Sequence, residues 1–456
     1  MMTTILGSIF WLIITLGVLV TFHELGHFWL ARIFKVKVLR FCVGFGKPIW
    51  SRFDQHGTEI AIAPIPLGGY VKLLDVRDCD VPADEIQFTY NHKPYWQKML
   101  IMLAGPAFNF ILAFFLYWLM FVVGKNEIQP TLGEPTQIMQ QAGFLEKDQL
   151  KKIDGQTIRT WSDVSLSLIT AGIDRRDIEI EVETESGTIT NRILALSAVP
   201  AEIAEEKLIE YIGLQAYRIP LAAKMTELDA DLPAAKAGLL VGDEIIRIND
   251  EDIADWYDVV EVVSKIKHGP IQVDFIRNQT QQTISVPALM TDPDNAGRKI
   301  LGIRPESPTE LDRTYYNKLF FSLSYGPIDS IPQAFLQIAK ITSKSLEMMW
   351  KLVTGKASIK NLSGPITIAQ VANDSAARGF SWYLSFLALV SLSLGIINLM
   401  PIPMLDGGQM MFLSIEKIKG SPLSEQFEMK AQFIGMFMLI SLMSLAFYND
   451  ILRSVS

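Results

Sequence analysis

The sequence predicts a polytopic α-helical membrane protein of four spans, with a small β region after the first span and a duplicated α+β block between the second and the third. Three observations predict it. Of 456 residues, 49% are hydrophobic and only 20% charged, where a soluble chain carries roughly a quarter charged residues. Four stretches are apolar over the ~20 residues a bilayer requires. The net charge of −8 comes from an acidic excess confined to residues 125–312, while the remainder of the chain is slightly basic. A water-soluble block therefore sits inside an apolar, basic frame. The same balance excludes a nucleic-acid binder, which would present a basic face. Two cysteines exclude a disulfide scaffold.

The spans run from Ile5 to Phe34, Met99 to Val123, Phe380 to Met400 and Ala431 to Tyr448. The last three contain no charged residue and no histidine. The first is uncharged from Ile5 to Phe22 and then reads His23-Glu24-Leu25-Gly26-His27. It lacks a basic n-region and a small-residue cleavage site, so a retained span is expected rather than a cleaved signal. Arg32 ends the first span, Lys35, Lys37, Arg40, Lys47 and Arg52 follow it, and Lys417, Lys419 and Lys430 lie between the third and fourth. The positive-inside rule puts both loops in the cytoplasm and both termini and the 125–375 segment outside. Cys42 and Cys79 then fall in the cytoplasmic loop and are expected reduced. The division that results is 1–37, 38–98, 99–124, 125–218, 219–308, 309–376, 377–430 and 431–456.

Residues 38–74 read as strands: Glu59-Ile60-Ala61-Ile62-Ala63 flanked by Gly44-Phe45-Gly46 and Pro66-Leu67-Gly68-Gly69-Tyr70. They predict a membrane-associated β-hairpin or small sheet. In the block, Ala142-Gly143, Leu145, Asp148, Ile153, Ile158, Trp161, Asp163 and Val164 recur at one constant offset as Ala237-Gly238, Leu240, Asp243, Ile248, Ile253, Trp256, Asp258 and Val259. Such identity at a fixed spacing marks a duplicated domain. Each copy continues with a β-type run, Ile178–Val182 and Ile271–Ile276, and closes on an expected Gly-centred strand, Ile212-Gly213-Leu214 and Leu301-Gly302-Ile303. The pattern Pro233-Ala234-x-x-Ala237-Gly238-Leu239-x-x-Gly242-Asp243 resembles a PDZ domain of the circularly permuted bacterial type; the first copy lacks the Gly-Asp pair. The resemblance implies capture of an extended peptide as an added strand, with spacers or steric plugs as the other reading. Residues 327–353 carry apolar side chains at helical spacing with Lys340, Lys344 and Lys351 interspersed. Two readings stand for them: an interfacial helix on membrane lipid, or an ordinary half-buried linker helix.

His23 and His27 are the two imidazoles of an HExxH. At i and i+4 on a helix they face one way and can hold one Zn²⁺, while Glu24 can deprotonate a water. Two histidines and a glutamate inside an apolar span are costly unless paired or metal-bound. A catalytic zinc needs a third protein ligand. Asp406 is the best candidate, in Asn398-Leu399-Met400-Pro401-Ile402-Pro403-Met404-Leu405-Asp406-Gly407-Gly408, where prolines break the third span and freed backbone lines a cavity. Of the five histidines, His56 and His92 lie in the cytoplasmic loop and His268 in the second repeat.

HExxH in the first span, Asn-x-x-Pro-x-Pro-x-Leu-Asp-Gly after the third, and two PDZ-like repeats together resemble the site-2 intramembrane metalloproteases. Gly44-Phe45-Gly46, Pro66-Leu67-Gly68-Gly69-Tyr70, Ala104-Gly105-Pro106-x-x-Asn109 and Ser363-Gly364-Pro365-Ile366 belong to the same resemblance. One departure is Gln409, where relatives commonly have His. The resemblance implies one Zn²⁺ per chain held by His23, His27 and Asp406, with Glu24 as general base. It implies substrate contact by Asn398, Pro401 and Pro403, and by the β region with Gly44, Gly46, Gly68 and Gly69. Asn109 has two readings, an oxyanion donor or an interhelical hydrogen bond. The implied substrates are single-pass membrane proteins already trimmed by another protease, such as an anti-sigma factor or signal-peptide remnants. The implied setting is a bacterial inner membrane, as a monomer with periplasmic repeats acting as a filter. The rival class is a membrane-tethered PDZ adaptor without catalysis.

Overall fold

The computed structural model describes residues 2–77, 80–200, 203, 207–219, 221–266, 269–291, 299–307, 309–358 and 362–455; Cys79 and His268 lie outside them. The chain divides into two compact units, residues 126–321 and the membrane-type unit formed by residues 2–125 with 322–456.

The membrane-type unit is built on helices α1 (Met2–Ile33) and, after a sheet of strands β1 (Val38–Phe45), β2 (Trp50–Phe53), β3 (Glu59–Ile62) and β4 (Ile65–Leu73), helix α2 (Tyr95–Val123). The returning chain adds α3 (Ser330–Val353), α4 (Pro365–Arg378), α5 (Phe380–Asn398), α6 (Asp406–Lys419) and α7 (Glu425–Val455). Four of these are long and apolar enough to cross a membrane: Leu6–Ile33, Tyr95–Val123, Phe380–Asn398 and Glu425–Leu452. Each expected span is matched by one of these helices; the second and fourth start earlier, at Tyr95 and Glu425, because polar first turns continue them, while the first and third end slightly short, at Ile33 and Asn398.

The helix α2 is the central one. It packs against α1, α3, α5 and α6 through a stripe that includes Ile101, Gly105, Asn109, Ala113, Tyr117 and Met120. Within lipid, where apolar burial between helices gives no hydrophobic gain, close approach rests on small residues. Here Gly26 of α1 meets the Ala104 carbonyl, and Gly395 of α5 meets the Phe110 ring.

The β region is a four-stranded sheet in the order β2-β3-β1-β4. The expectation of a hairpin or small sheet is met by the sheet, with one difference. β1 and β3 run parallel, Arg40 opposite Glu59, because the chain spends β2 on the return journey. β4 pairs with β1 antiparallel, Val43 opposite Gly69, and is one edge of the sheet. Arg32 at the end of α1 ties the sheet down through an ion pair with Asp54 and a 3.0 Å bond to Thr58 Oγ1. Burial alone would raise the Asp54 carboxyl, but the Thr58 N–H and Arg32 outweigh it and hold it below its usual range. Cys42 is buried as a free thiol.

The other unit contains two four-stranded sheets of one strand order. The first runs Gln156–Thr157, Gln149–Ile153, Ile178–Glu183, Ile189–Leu194; the second runs Glu251–Asp252, Glu244–Ile248, Ile271–Arg277, Thr280–Val286. Each carries a helix opened by a capping box, Thr160 with Asp163 and Asp255 with Asp258. Each has its own core, with Leu150, Ile153, Val164 and Leu168 of the first answering to Ile245, Ile248, Val259 and Val263 of the second. The repeat also includes a buried ion pair that its spacing had hidden, Asp148 with Arg192 and Asp243 with Arg277, at 2.9 and 2.7 Å.

Two details depart from the sequence expectation. Ile212-Gly213 is not a strand: Leu208–Ile212 is a helical turn and Gly213 its left-handed cap, fixed by Leu208 packing on Gly172. In the second copy the strand starts only at Ile303. The Gly-Asp pair missing from the first copy has a backbone cause. Gly242 has φ +97, whereas Lys147 at the equivalent position has φ +66, inside the small left-handed well an L residue can reach. A methyl at Gly242 meets nothing within 4 Å, so Gly242→Ala tests the backbone alone. It is expected to destabilise by about 1–2 kcal/mol, read as a lower thermal midpoint of the full chain.

Candidate metal centre

His23 and His27 lie one turn apart on α1, so their rings point to the same side. His27 Nδ1 donates to the Ile101 carbonyl of α2 at 2.8 Å. That bond fixes the proton on Nδ1 and leaves the Nε2 lone pair turned towards His23. The two Nε2 atoms are 3.3 Å apart. Pro106 lies within α2; lacking an N–H, it leaves the Met102 carbonyl, one residue beyond Ile101, without its i→i−4 donor.

Asp406 arrives from the other side. α5 ends at Asn398, and the turn through Pro401 and Pro403 delivers Asp406 as the first residue of α6. Gly407 and Gly408 make that turn possible: a methyl on either would lie within about 2.4 Å of the Leu399, Met400 or Ile402 carbonyls. Gln409, the one departure from the family pattern, donates weakly to the Pro403 carbonyl at 3.4 Å, and Gly435 of α7 packs on Pro403. Asp406 Oδ2 stands 3.2 Å from His23 Nε2 and Oδ1 3.4 Å from His27 Nε2.

The donor set fits a tetrahedral zinc ion. Ligand bonds of ~2.0–2.1 Å place neighbouring donors about 3.3 Å apart, and the three separations here are 3.2, 3.3 and 3.4 Å. Asp406 Oδ2 is buried without a hydrogen-bond partner, and the carboxylate turns one oxygen to each imidazole Nε2. No other group of three His, Cys, Asp or Glu side chains comes together in this way among the described residues. Glu24 is half-buried on the neighbouring face of α1, and Gly69 of β4 lies against it and against Val20. A methyl at Gly69 would be 3.0 Å from Glu24 Cγ, so the sheet edge passes directly over the glutamate.

The model of peptidase family M50 matches residues 11–442. The chain belongs to this family. It is therefore a site-2-type metallopeptidase, a hydrolase. A Salmonella typhimurium relative, named regulator of sigma-E protease RseP, is 37% identical over 454 residues, covering 99% of this chain and 100% of its own. A Xylella fastidiosa relative whose name contains the words zinc metalloprotease is 38% identical over 454 residues, covering 98% of this chain and 99% of its own. Among solved structures, the PDZ domain of an SdrC-like protein from Listeria innocua covers 19% of this chain and 97% of its own length at 17% identity. Its TM-score of 0.17 is too low to build on.

Within this M50 chain the other expected site residues are placed as follows. Asn398 ends α5 half-buried, Pro401 is exposed, and Pro403 is wedged against α7. Gly44 and Gly46 turn the chain out of β1 with φ +95 and +104, and Gly68 packs on the Phe45 ring. Their nearest neighbours are atoms of the sheet rather than the donor trio. Asn109 is fully buried, with its amide 3.1 Å from His23 Nδ1. Two contributors went unassigned in the sequence. The Ile101 carbonyl leaves no residue-type signal. Gly105 does, as a Gly-Pro step inside a span: a methyl there would sit 2.2 Å from His27 Nε2, so bare backbone forms one wall of the site.

Proposed function

We propose that this chain is an intramembrane zinc endopeptidase that cuts within the membrane segment of single-pass proteins already trimmed by another protease. The observation that carries the proposal is the convergence of His23, His27 and Asp406 donors at tetrahedral spacing, with Glu24 beside them, the two histidines and the glutamate lying on a helix of membrane-spanning length. His23, His27 and Asp406 hold one zinc ion. The bound ion supplies a Lewis acid, polarising the scissile carbonyl and acidifying a water. Glu24 accepts the proton of the attacking water and hands it to the departing amine.

A helical substrate hides its carbonyls in i→i−4 bonds, so it must unwind before it can be cut. The edge strand β4, lying over Glu24, offers replacement backbone hydrogen bonds in a medium that provides few. Asn398, Pro401 and Pro403, the turns at Gly44 and Gly46, and Gly68 and Gly69 of β4 itself line the path of a substrate strand. The two repeats are PDZ domains on the periplasmic side, and they admit substrates whose external part has been removed. A groove of about 620 Å³ in the second repeat, between helix Trp256–Lys265 and strand Ile303–Pro305, supports a peptide-end site there. Sigma-E relatives support an anti-sigma factor as one substrate and an inner-membrane setting; signal-peptide remnants are a second substrate class.

The test compares wild type with Glu24→Gln, purified in detergent, on a single-pass reporter with a short external tail. Glu24→Gln is expected to keep its zinc and to cut at least ~10²-fold more slowly, the usual worth of a general base. Equal cleavage by both proteins would remove Glu24 from the mechanism.

A further inference from the structure

Both histidines meet the same helix through Nδ1. His27 Nδ1 bonds the Ile101 carbonyl at 2.8 Å, and two turns further along α2 the Asn109 amide lies 3.1 Å from His23 Nδ1. We propose that Asn109 is the positioning residue of His23: its carboxamide oxygen accepts the His23 Nδ1–H and so aims the Nε2 lone pair at the metal. The proposal rests on the reading of His23 as a zinc ligand and assigns Asn109 to that ligand instead of to the substrate.

The hydrogen-bond requirements of the site lead there. A histidine that gives Nε2 to a metal carries its proton on Nδ1 and must donate it to an acceptor. Asn109 supplies the polar group at that nitrogen. With Nδ2 facing the ring, Asn109 Oδ1 is left buried without a partner, on a residue that is fully buried. A buried acceptor left without a partner is destabilising. Half a turn of the amide exchanges the two nearly isosteric ends. The oxygen then accepts the ring proton and the lone pair is placed on Nε2, while the NH₂ takes the position the oxygen held. The backbone on either side is fixed, since Ser391 of α5 donates to the Asn109 carbonyl at 2.8 Å. The amide therefore holds its place from a helix that itself contributes no metal ligand.

The experiment measures zinc affinity by chelator competition, and the visible spectrum of the Co²⁺-substituted protein. It uses wild type, His23→Ala, Asn109→Leu and Asn109→Asp, each checked for folding by its thermal midpoint. Asn109→Leu keeps the volume and removes the acceptor. It is expected to bind zinc about 10–100-fold more weakly and to alter the Co²⁺ ligand-field bands even at saturating metal. Asn109→Asp presents an acceptor in either orientation and is expected to retain affinity within about threefold of wild type, with wild-type-like bands. A role in packing alone would leave the bands unchanged in the leucine variant. Wild-type affinity and spectrum in Asn109→Leu overturn the proposal, as does an equal loss in Asn109→Asp; if the leucine variant fails to fold, the aspartate variant decides alone. Full zinc retention by His23→Ala overturns instead the underlying ligand reading, so the two failures are told apart.

Discussion

Gly105→Ala is expected to strip the protein of zinc and of cleavage together, while the same change at Gly17 leaves both intact. A methyl at position 105 would lie 2.2 Å from His27 Nε2 and 2.7 Å from His23 Cε1, so something must move. Sliding α2 away from α1 is one route. The helices already meet backbone to backbone, Gly26 against the Ala104 carbonyl, and a shift there of about an ångström would break the 2.8 Å bond from His27 to Ile101. Turning the His27 ring is the other route, and it sacrifices the same bond and moves Nε2 out of the donor trio. Either way one ligand is lost, with zinc affinity falling by a factor on the order of 10² or more. Gly17 lies on α1, the helix of both histidines, and a methyl there would meet nothing within 4 Å; alanine is also the better helix former. The measurement is zinc per purified chain beside reporter cleavage. A Gly105→Ala protein with wild-type zinc would mean that the α1–α2 crossing yields without cost, contrary to the packing.

What the sequence made visible follows from what each feature needs. Spans need only apolar length, and four appear. His23 and His27 need only a spacing, and their scarcity in the chain makes that spacing conspicuous. Asp406 could be picked out because prolines interrupt an otherwise uniform apolar run beside it. Features that depend on two distant segments meeting were not legible. Ile101 acts through its carbonyl, which every residue has. Gly105 matters only once α1 crosses α2 at Gly26. The parallel pairing of β1 with β3 leaves the same alternation as an antiparallel hairpin would. Leu208–Ile212 is too short for a helical period, and tertiary packing on Gly172 decides its shape. The Asp148–Arg192 pair was hidden because the arginine falls at a different offset from the rest of the repeat.

Asp450→Ala is expected to lower the stability of the membrane-type unit by about 3 kcal/mol, the second largest effect. Its carboxylate accepts from the backbone N–H groups of Gly364, Ile366 and Thr367 at 2.9, 2.9 and 3.0 Å and from Thr367 Oγ1 at 2.6 Å. These are the orphan donors of the first turn of α4. Gly364 at the N-cap has no side chain to satisfy them, and Pro365 has no N–H to present. A buried acidic residue from a different helix therefore acts as the cap and meets the positive end of the α4 dipole. Removing it leaves three amides and a hydroxyl without this acceptor, at about 1–3 kcal/mol for each donor that stays buried, partly relieved by local relaxation. The loss bears on α7 in particular. Only 11% of its apolar window is buried, so few other contacts hold it. Gly435 against Pro403 and Asp450 against α4 lie fifteen residues apart, about 22 Å along the helix, and they brace it at two separate levels. Because the proposed zinc donors sit on α1 and α6, the folded variant is expected to keep its metal while its thermal midpoint in detergent falls. Asp450→Asn retains a single acceptor oxygen and turns its NH₂ towards donors, so its midpoint should fall between alanine and wild type. A midpoint unchanged in Asp450→Ala would mean that water or Asn449, whose side chain already donates to the Leu362 carbonyl at 3.3 Å, takes over the α4 terminus.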